Sequence, residues 1–89
     1  MDNIRTVYLA PIDGRKSFYG KCFAVGNVDI GYTLMSYGTP IMWSDGFQFV
    51  RLWNGYSATT MRHVNSFVNW CGYDMGGKAW WDSLPVGSV

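Results

Sequence analysis

The sequence predicts an α+β fold: a small antiparallel sheet of about four strands, packed against one main helix in the C-terminal half, with a short final helical turn. Three observations carry this expectation. Between residues 17 and 53, apolar segments of strand length alternate with turn chemistry. Strands joined by such short turns pair antiparallel, because parallel neighbours need long crossovers. Residues 57–71 then place apolar side chains at helical spacing, with start and stop signals at the two ends. Finally, 89 residues with 48% apolar content allow a single domain with one core.

Taken in order, residues 1–16 read as a lead-in that ends in the turn signal Ile12-Asp13-Gly14 and the basic pair Arg15-Lys16. "SFYGKCFAV", residues 17–25, is the first strand, and Gly26-Asn27 is the turn after it. "DIGYTLMSY", residues 29–37, alternates: Ile30, Tyr32 and Leu34 share one face, Gly31, Thr33 and Met35 the other. Gly38-Thr39-Pro40 breaks the run. Pro40 has no N–H for a ladder, so its strand lies at an edge or begins there. "IMW" leads into Ser44-Asp45-Gly46, a hairpin signal with Gly where left-handed φ is needed. "FQFVRLW", residues 47–53, returns as the fourth strand and stops at Asn54-Gly55.

In the main helix Ser57 is the expected N-cap, with Thr59 or Thr60 able to share the duty. Met61, Val64, Val68 and Cys71 make one stripe, widened by Phe67 and Trp70. Arg62, Asn65, Ser66 and Asn69 fall on the opposite face, and Gly72 stands where a left-handed C-terminal cap belongs. Residues 77–84 read as one or two helical turns stopped by Pro85, with Trp80 or Trp81 tucked beneath the rest. Five Trp, six Tyr and five Phe supply the large apolar surfaces that so short a chain needs to offset its conformational entropy.

Composition narrows the function classes. A net charge of +1 provides no field to draw the molecule onto nucleic acid or anionic lipid. No stretch approaches the length of a membrane span, and the first residues lack the apolar core of a signal peptide, so a cytoplasmic location is expected. Cys22 and Cys71, without CxxC or HxxxH spacing and with a single His, are expected to be buried free thiols, and neither a metal nor a cofactor is expected. Any nucleophile–base arrangement must use His63, and the six acids are all Asp scattered through turns. An enzyme is therefore not expected. His63 itself reads as a first-turn residue bonding locally or to water.

The helix start is the densest cluster of polar chemistry. Unpaired N–H groups and the positive dipole end make a helix start an anion site in principle. Tyr56, Ser57, Thr59, Thr60, Arg62 and His63 surround it with hydroxyls and a guanidinium, while a plain cap needs only one of them. Arg51, inside an apolar strand, either alternates outwards or reaches, with Trp53, the same end of the sheet. The basic and aromatic mixture "GRKSFYGK" is also a way of gripping single-stranded nucleic acid, though core duty explains most of its aromatics.

"KSFYGKC", "SYGTPI", "FVRLWNGYSATTMRHVNSF" and "WDSLPV" resemble, in order, a family of small uncharacterised proteins of phages, prophages and mobile elements, with the pattern KSFYGKA, SYNTPVA, LWxxYSATTxRHINEF and SLPV. The resemblance spans about residues 15 to 86. Its specific core maps onto Tyr56, Ser57, Ala58, Thr59, Thr60, Arg62, His63 and Asn65. Cys22 replaces the family's Ala, Gly38 its Asn or Asp, and "CGYDMGGKAWW" is richer in Gly and Trp than the family's tail. The resemblance implies an accessory factor, cytoplasmic in a bacterial host, that docks on a host defence or regulatory protein, as anti-CRISPR-like inhibitors do. The expected contact surface is Tyr56 to Asn65 together with Arg51, Trp53 and an exposed Trp of the tail. Two alternatives stand beside it: a phosphate, nucleotide or nucleic-acid module at the helix start, and a homodimer that completes an edge strand.

Overall fold

The computed structural model describes residues 3–14, 17–74 and 77–87; the basic pair Arg15-Lys16 lies outside them. Five strands form one antiparallel sheet in chain order: β1 (Arg5–Tyr8), β2 (Cys22–Asn27), β3 (Gly31–Ser36), β4 (Thr39–Ser44) and β5 (Phe49–Arg51). Helices α1 (Ala58–Trp70) and α2 (Gly77–Ser83) follow. The α+β class is the expected one, with five strands in place of about four. The added strand, β1, lies inside the lead-in. Only Val7 of its four residues is partly covered, so it carries too little alternation to stand out as a strand.

Local turn chemistry moves several other boundaries. The first expected strand begins at Cys22 instead of Ser17, because Tyr19 and Gly20 take left-handed φ of 52° and 76°. The Lys21 N–H closes this turn on the Phe18 carbonyl at 2.9 Å, and Phe18 is carried into the core. The Gly26-Asn27 turn arrives a step later than expected: both residues belong to β2, and Asn27 Oδ1 accepts the Asp29 and Ile30 N–H groups, each at 2.9 Å. Only glycine fits at position 26, since a Cβ would collide with the Gly31 carbonyl. The strand expected over residues 47–53 shrinks to Phe49–Arg51, because Asp45 Oδ1 holds the Phe47 and Gln48 N–H groups in the turn. Pro40 stands near the start of β4, which is an internal strand. Leu34 pairs with Met42 and Met35 with Pro40, leaving Ile41 as the extra residue of a bulge.

Register sorts the side chains into two faces. Val7, Ala24, Leu34, Met42 and Arg51 form one cross-strand row, and the adjoining row of Cys22 and Ser36 lies on the same face. Against this face sit Met61, Val64, Phe67 and Val68 of α1 and Trp81 of α2, which with Phe18, Ala24, Leu34 and Met42 make one buried cluster. Each large side chain in it contributes about 1.5–3 kcal/mol by leaving water.

Ser57 caps α1 as expected: its backbone is extended and its Oγ accepts the Thr60 N–H at 3.1 Å. At the other end Gly72 has φ 94°, its N–H reaches Asn69 O at 2.9 Å, and the Tyr73 N–H reaches Val68 O at 3.0 Å. This is a Schellman closure. Two assignments on the helix are corrected. Trp70, expected in the buried stripe, is 40% exposed beside Tyr32, and Ser66, expected on the open side, is buried without a hydrogen-bond partner. Beyond α2, Arg51 N–H donates to Pro85 O and Gly87 N–H to Arg51 O, a single parallel bridge between Arg51 and Val86 at the β5 edge of the sheet.

Candidate functional site

The polar cluster at the start of α1 is engaged in holding the fold. Ser57 Oγ donates to Thr60 Oγ1 at 2.9 Å while accepting the Thr60 N–H, so two of the three hydroxyls satisfy one another, and Thr60 is buried. Thr59 is exposed and Asn65 half-buried. Arg62 forms a fork on Asp13, at 2.7 and 3.3 Å, and its guanidinium lies over the Phe18 ring. The hydrogen bond with Asp13 raises its pKa further. Arg62 thus clamps the loop after β1 to the helix.

His63 is corrected most sharply. It is 1% exposed instead of bonding locally or to water. Its Nδ1 shares a 2.7 Å hydrogen bond with Ser36 Oγ of β3, and its ring lies between Phe18 and Tyr37. Burial, and then the charge of Arg62, push its pKa below the usual value. The imidazole is therefore neutral and acts as a polar core residue joining α1 to the sheet.

Arg51 does not alternate outwards. Its side chain is buried and donates to three carbonyls: Trp53 O at 2.9 Å, Gly55 O at 3.0 Å and Trp81 O at 3.2 Å. The guanidinium also lies 4.4 Å from the centre of a Trp81 ring, whose Nε1 donates to Gly55 O as well. Arg51 and Trp53 do reach the end of the sheet that leads into α1, as one of the two expectations had it. There Arg51 ties the loop and α2 together, and half-buried Trp53 packs against the core. Tyr56 remains exposed, with Lys78 of α2 over its ring.

Among the described residues no group of three His, Cys or Asp side chains is placed to hold a metal. Cys22 is buried, and desolvation pushes its thiol up to about 12. A cleft of about 230 Å³ opens at the C-terminal end of α1, lined by Tyr32, Ser44, Asp45, Trp70 and Cys71 among others. Burial raises the pKa of the Cys71 thiol, and the backbone N–H groups of Phe47 and Gln48 lower that of the Asp45 carboxyl. The cleft therefore holds a protonated thiol and a firmly ionised carboxylate, neither tuned as a nucleophile or base near neutral pH.

What sequence reasoning missed is the second face of the sheet. Thr6, Val25, Thr33, Trp43 and Val50 pair directly across all five strands, on the side away from the helices. A second row of Tyr8, Phe23, Met35 and Pro40 runs beside it, with the Tyr8 and Phe23 rings 5.4 Å apart. None of these side chains belongs to the core cluster or packs against it, and none is charged. A sheet face turned to water ordinarily carries polar residues. The signal was available in "CFAV", an unbroken apolar run that leaves neither face of its strand polar.

A helix-roofed antiparallel meander, with Ser57, Thr60, Arg62 and His63 partnered within the chain and a half-buried, uncharged sheet face on the side away from the helices, defines a two-layer α+β domain. The chain belongs to DUF8033, a family of unknown function whose model matches residues 7–83. No curated protein and no solved structure matches it. No helix among the described residues is long and apolar enough to cross a membrane.

Proposed function

We propose that this chain is an accessory binding protein that works by docking on another protein, and that the open sheet face is its contact surface. The observation that supports this reading is the pair of uncharged rows centred on Thr33, which a water-facing sheet has no reason to keep apolar. The aromatic and methionine side chains there, Phe23, Trp43 and Met35, are of the kinds that anchor interfaces. The setting implied by the resemblance is a phage or mobile-element factor that inhibits a host defence or regulatory protein, and the partner is then a host protein with an apolar docking surface. The contact shifts from the helix start to the sheet, because Ser57, Thr60, Arg62 and His63 already have partners within the chain.

The test is capture of partners from host lysate with Val25→Lys and Arg62→Ala beside the wild type, each checked for native circular dichroism. A defined partner lost with Val25→Lys and kept with Arg62→Ala supports the reading. A partner kept with Val25→Lys but lost with folded Arg62→Ala places the contact at the helix start and ends it.

A further inference from the structure

We propose that the cleft at the C-terminal end of α1 binds a small quaternary ammonium ion, a trimethylammonium group on a short chain, at a site separate from the far face of the sheet. Its walls are aromatic. Tyr32 of β3 and Trp70, the last residue of α1, both line it, and their rings stand at 89° with centroids 4.9 Å apart, a right-angled corner of two π systems. Trp70 stays 40% exposed there, although Met61, Val64, Phe67 and Val68 of the same helix are buried. Ring faces carry the negative side of the aromatic quadrupole, so such a corner attracts a cation and offers nothing to an anion.

Two further features have the same sign. Among the described residues that line the cleft, Asp45 is the only charged one. The C-terminal end of α1 is the negative end of the helix dipole, and no basic side chain stands in its last turn to neutralise it. Arg5 lines the adjoining groove, where Asp29 offsets its charge. Hydrogen bonding then selects the kind of cation. Asn27 Oδ1 already accepts two backbone N–H groups, and so does Asp45 Oδ1. Ser44 Oγ accepts the Gly46 N–H, and Gly46 O accepts the Tyr73 hydroxyl. A primary ammonium, with three N–H donors to satisfy, would be short of acceptors here. A fully methylated one has no donor to satisfy and needs only apolar contact, ring faces and one carboxylate. The cleft's 230 Å³ equals roughly eight water volumes at about 30 Å³ each, which takes an ion the size of choline and little more.

The test is titration of choline into isotope-labelled protein, followed by backbone amide and indole NMR shifts, with Asp45→Asn, Trp70→Leu and Asp29→Asn beside the wild type. Asparagine at 45 keeps an oxygen for the Phe47 and Gln48 N–H groups, so that variant removes the charge and leaves the turn. The expected result is one saturable site in roughly the millimolar range or tighter, with the shifts centred on Gly46, Cys71 and the Trp70 indole. The neutral isostere 3,3-dimethylbutan-1-ol should bind at least about tenfold more weakly, and ethanolammonium more weakly than choline. Asp45→Asn should weaken choline at least about fivefold and Trp70→Leu about threefold or more, while Asp29→Asn stays within about twofold. A neutral alcohol that binds as tightly as choline overturns the proposal. So does choline binding kept in both folded cleft variants, or an absence of saturation up to about 50 mM. Ethanolammonium binding more tightly than choline overturns the quaternary assignment. A peptide carrying trimethyllysine that binds at least about tenfold more tightly than choline overturns the free ion as the occupant and gives the cleft to a modified protein side chain.

Discussion

The two faces of the sheet are built from adjacent residues and meet different fates. Leu34 is fully buried under α1, while its neighbour Thr33 stands on the side that no element of the described chain covers. On the helix side even the polar residues are absorbed: Arg51 binds three carbonyls, and His63 reaches Ser36. On the far side the residues are apolar or hydroxyl-bearing without being packed into the core. The difference shows that apolar content alone does not tell which face of a sheet is the core, and that polarity alone does not mark a site. Here polar residues such as Arg51 and His63 join the apolar core in holding the fold together, while Phe23, Met35 and Trp43 stand half-buried on the far side.

The comparison breaks first where the covered face is cut. Arg51→Ala should lower stability by about 2–4 kcal/mol in denaturant titration, since it strips charged donors from carbonyls in the interior and removes the guanidinium from the Trp81 ring. Lysine at Val25 on the far face should leave stability within about 1 kcal/mol while losing capture of the protein partner proposed for that face.

His63 gives the next effect, through pH. Its folded pKa lies below the 6.5 of the free side chain, so between those values the unfolded chain binds more protons than the folded one. Stability is therefore fully present above about pH 6.5 and declines as pH falls through that value towards the lowered folded pKa, by at most about 1.4 kcal/mol per pH unit for one proton. Melting temperatures between pH 7.5 and 5 should show this decline, and His63→Gln, less stable at neutral pH, should show a shallower one. The smallest effect belongs to Ser66→Ala. It removes a buried hydroxyl without a partner and favours the helix, for an expected gain of about 0.5–1 kcal/mol.

These expectations also mark how far the sequence could be read. The helix was legible because its signals are local: Ser57 caps it, Gly72 closes it, and Met61, Val64 and Val68 repeat at its spacing. The hairpin at Asp45 was legible for similar reasons, as was the burial of one tryptophan of the pair Trp80 and Trp81, which is Trp81. The strand β1 was not, because its pairing with β2 depends on residues some twenty positions away and its own pattern is four residues long. The helix start misled because a run of Ser, Thr, Arg and His looks the same whether its partners are ligands or Asp13 and Ser36, and both of those lie far off in sequence. The open face was hidden by the same non-locality. Only register aligns Thr6, Val25, Thr33, Trp43 and Val50 into one row.

The most direct test of the open face is a pair of denaturant titrations on adjacent residues, Leu34→Ala and Thr33→Lys, run at the lowest workable protein concentration so that self-association contributes least. Leu34→Ala should lose about 2–5 kcal/mol, the cost of a cavity under α1, while Thr33→Lys should stay within about 1 kcal/mol of the wild type. A Thr33→Lys protein as destabilised as Leu34→Ala would mean that this face is already buried within a single chain, and the contact surface proposed for it would not exist.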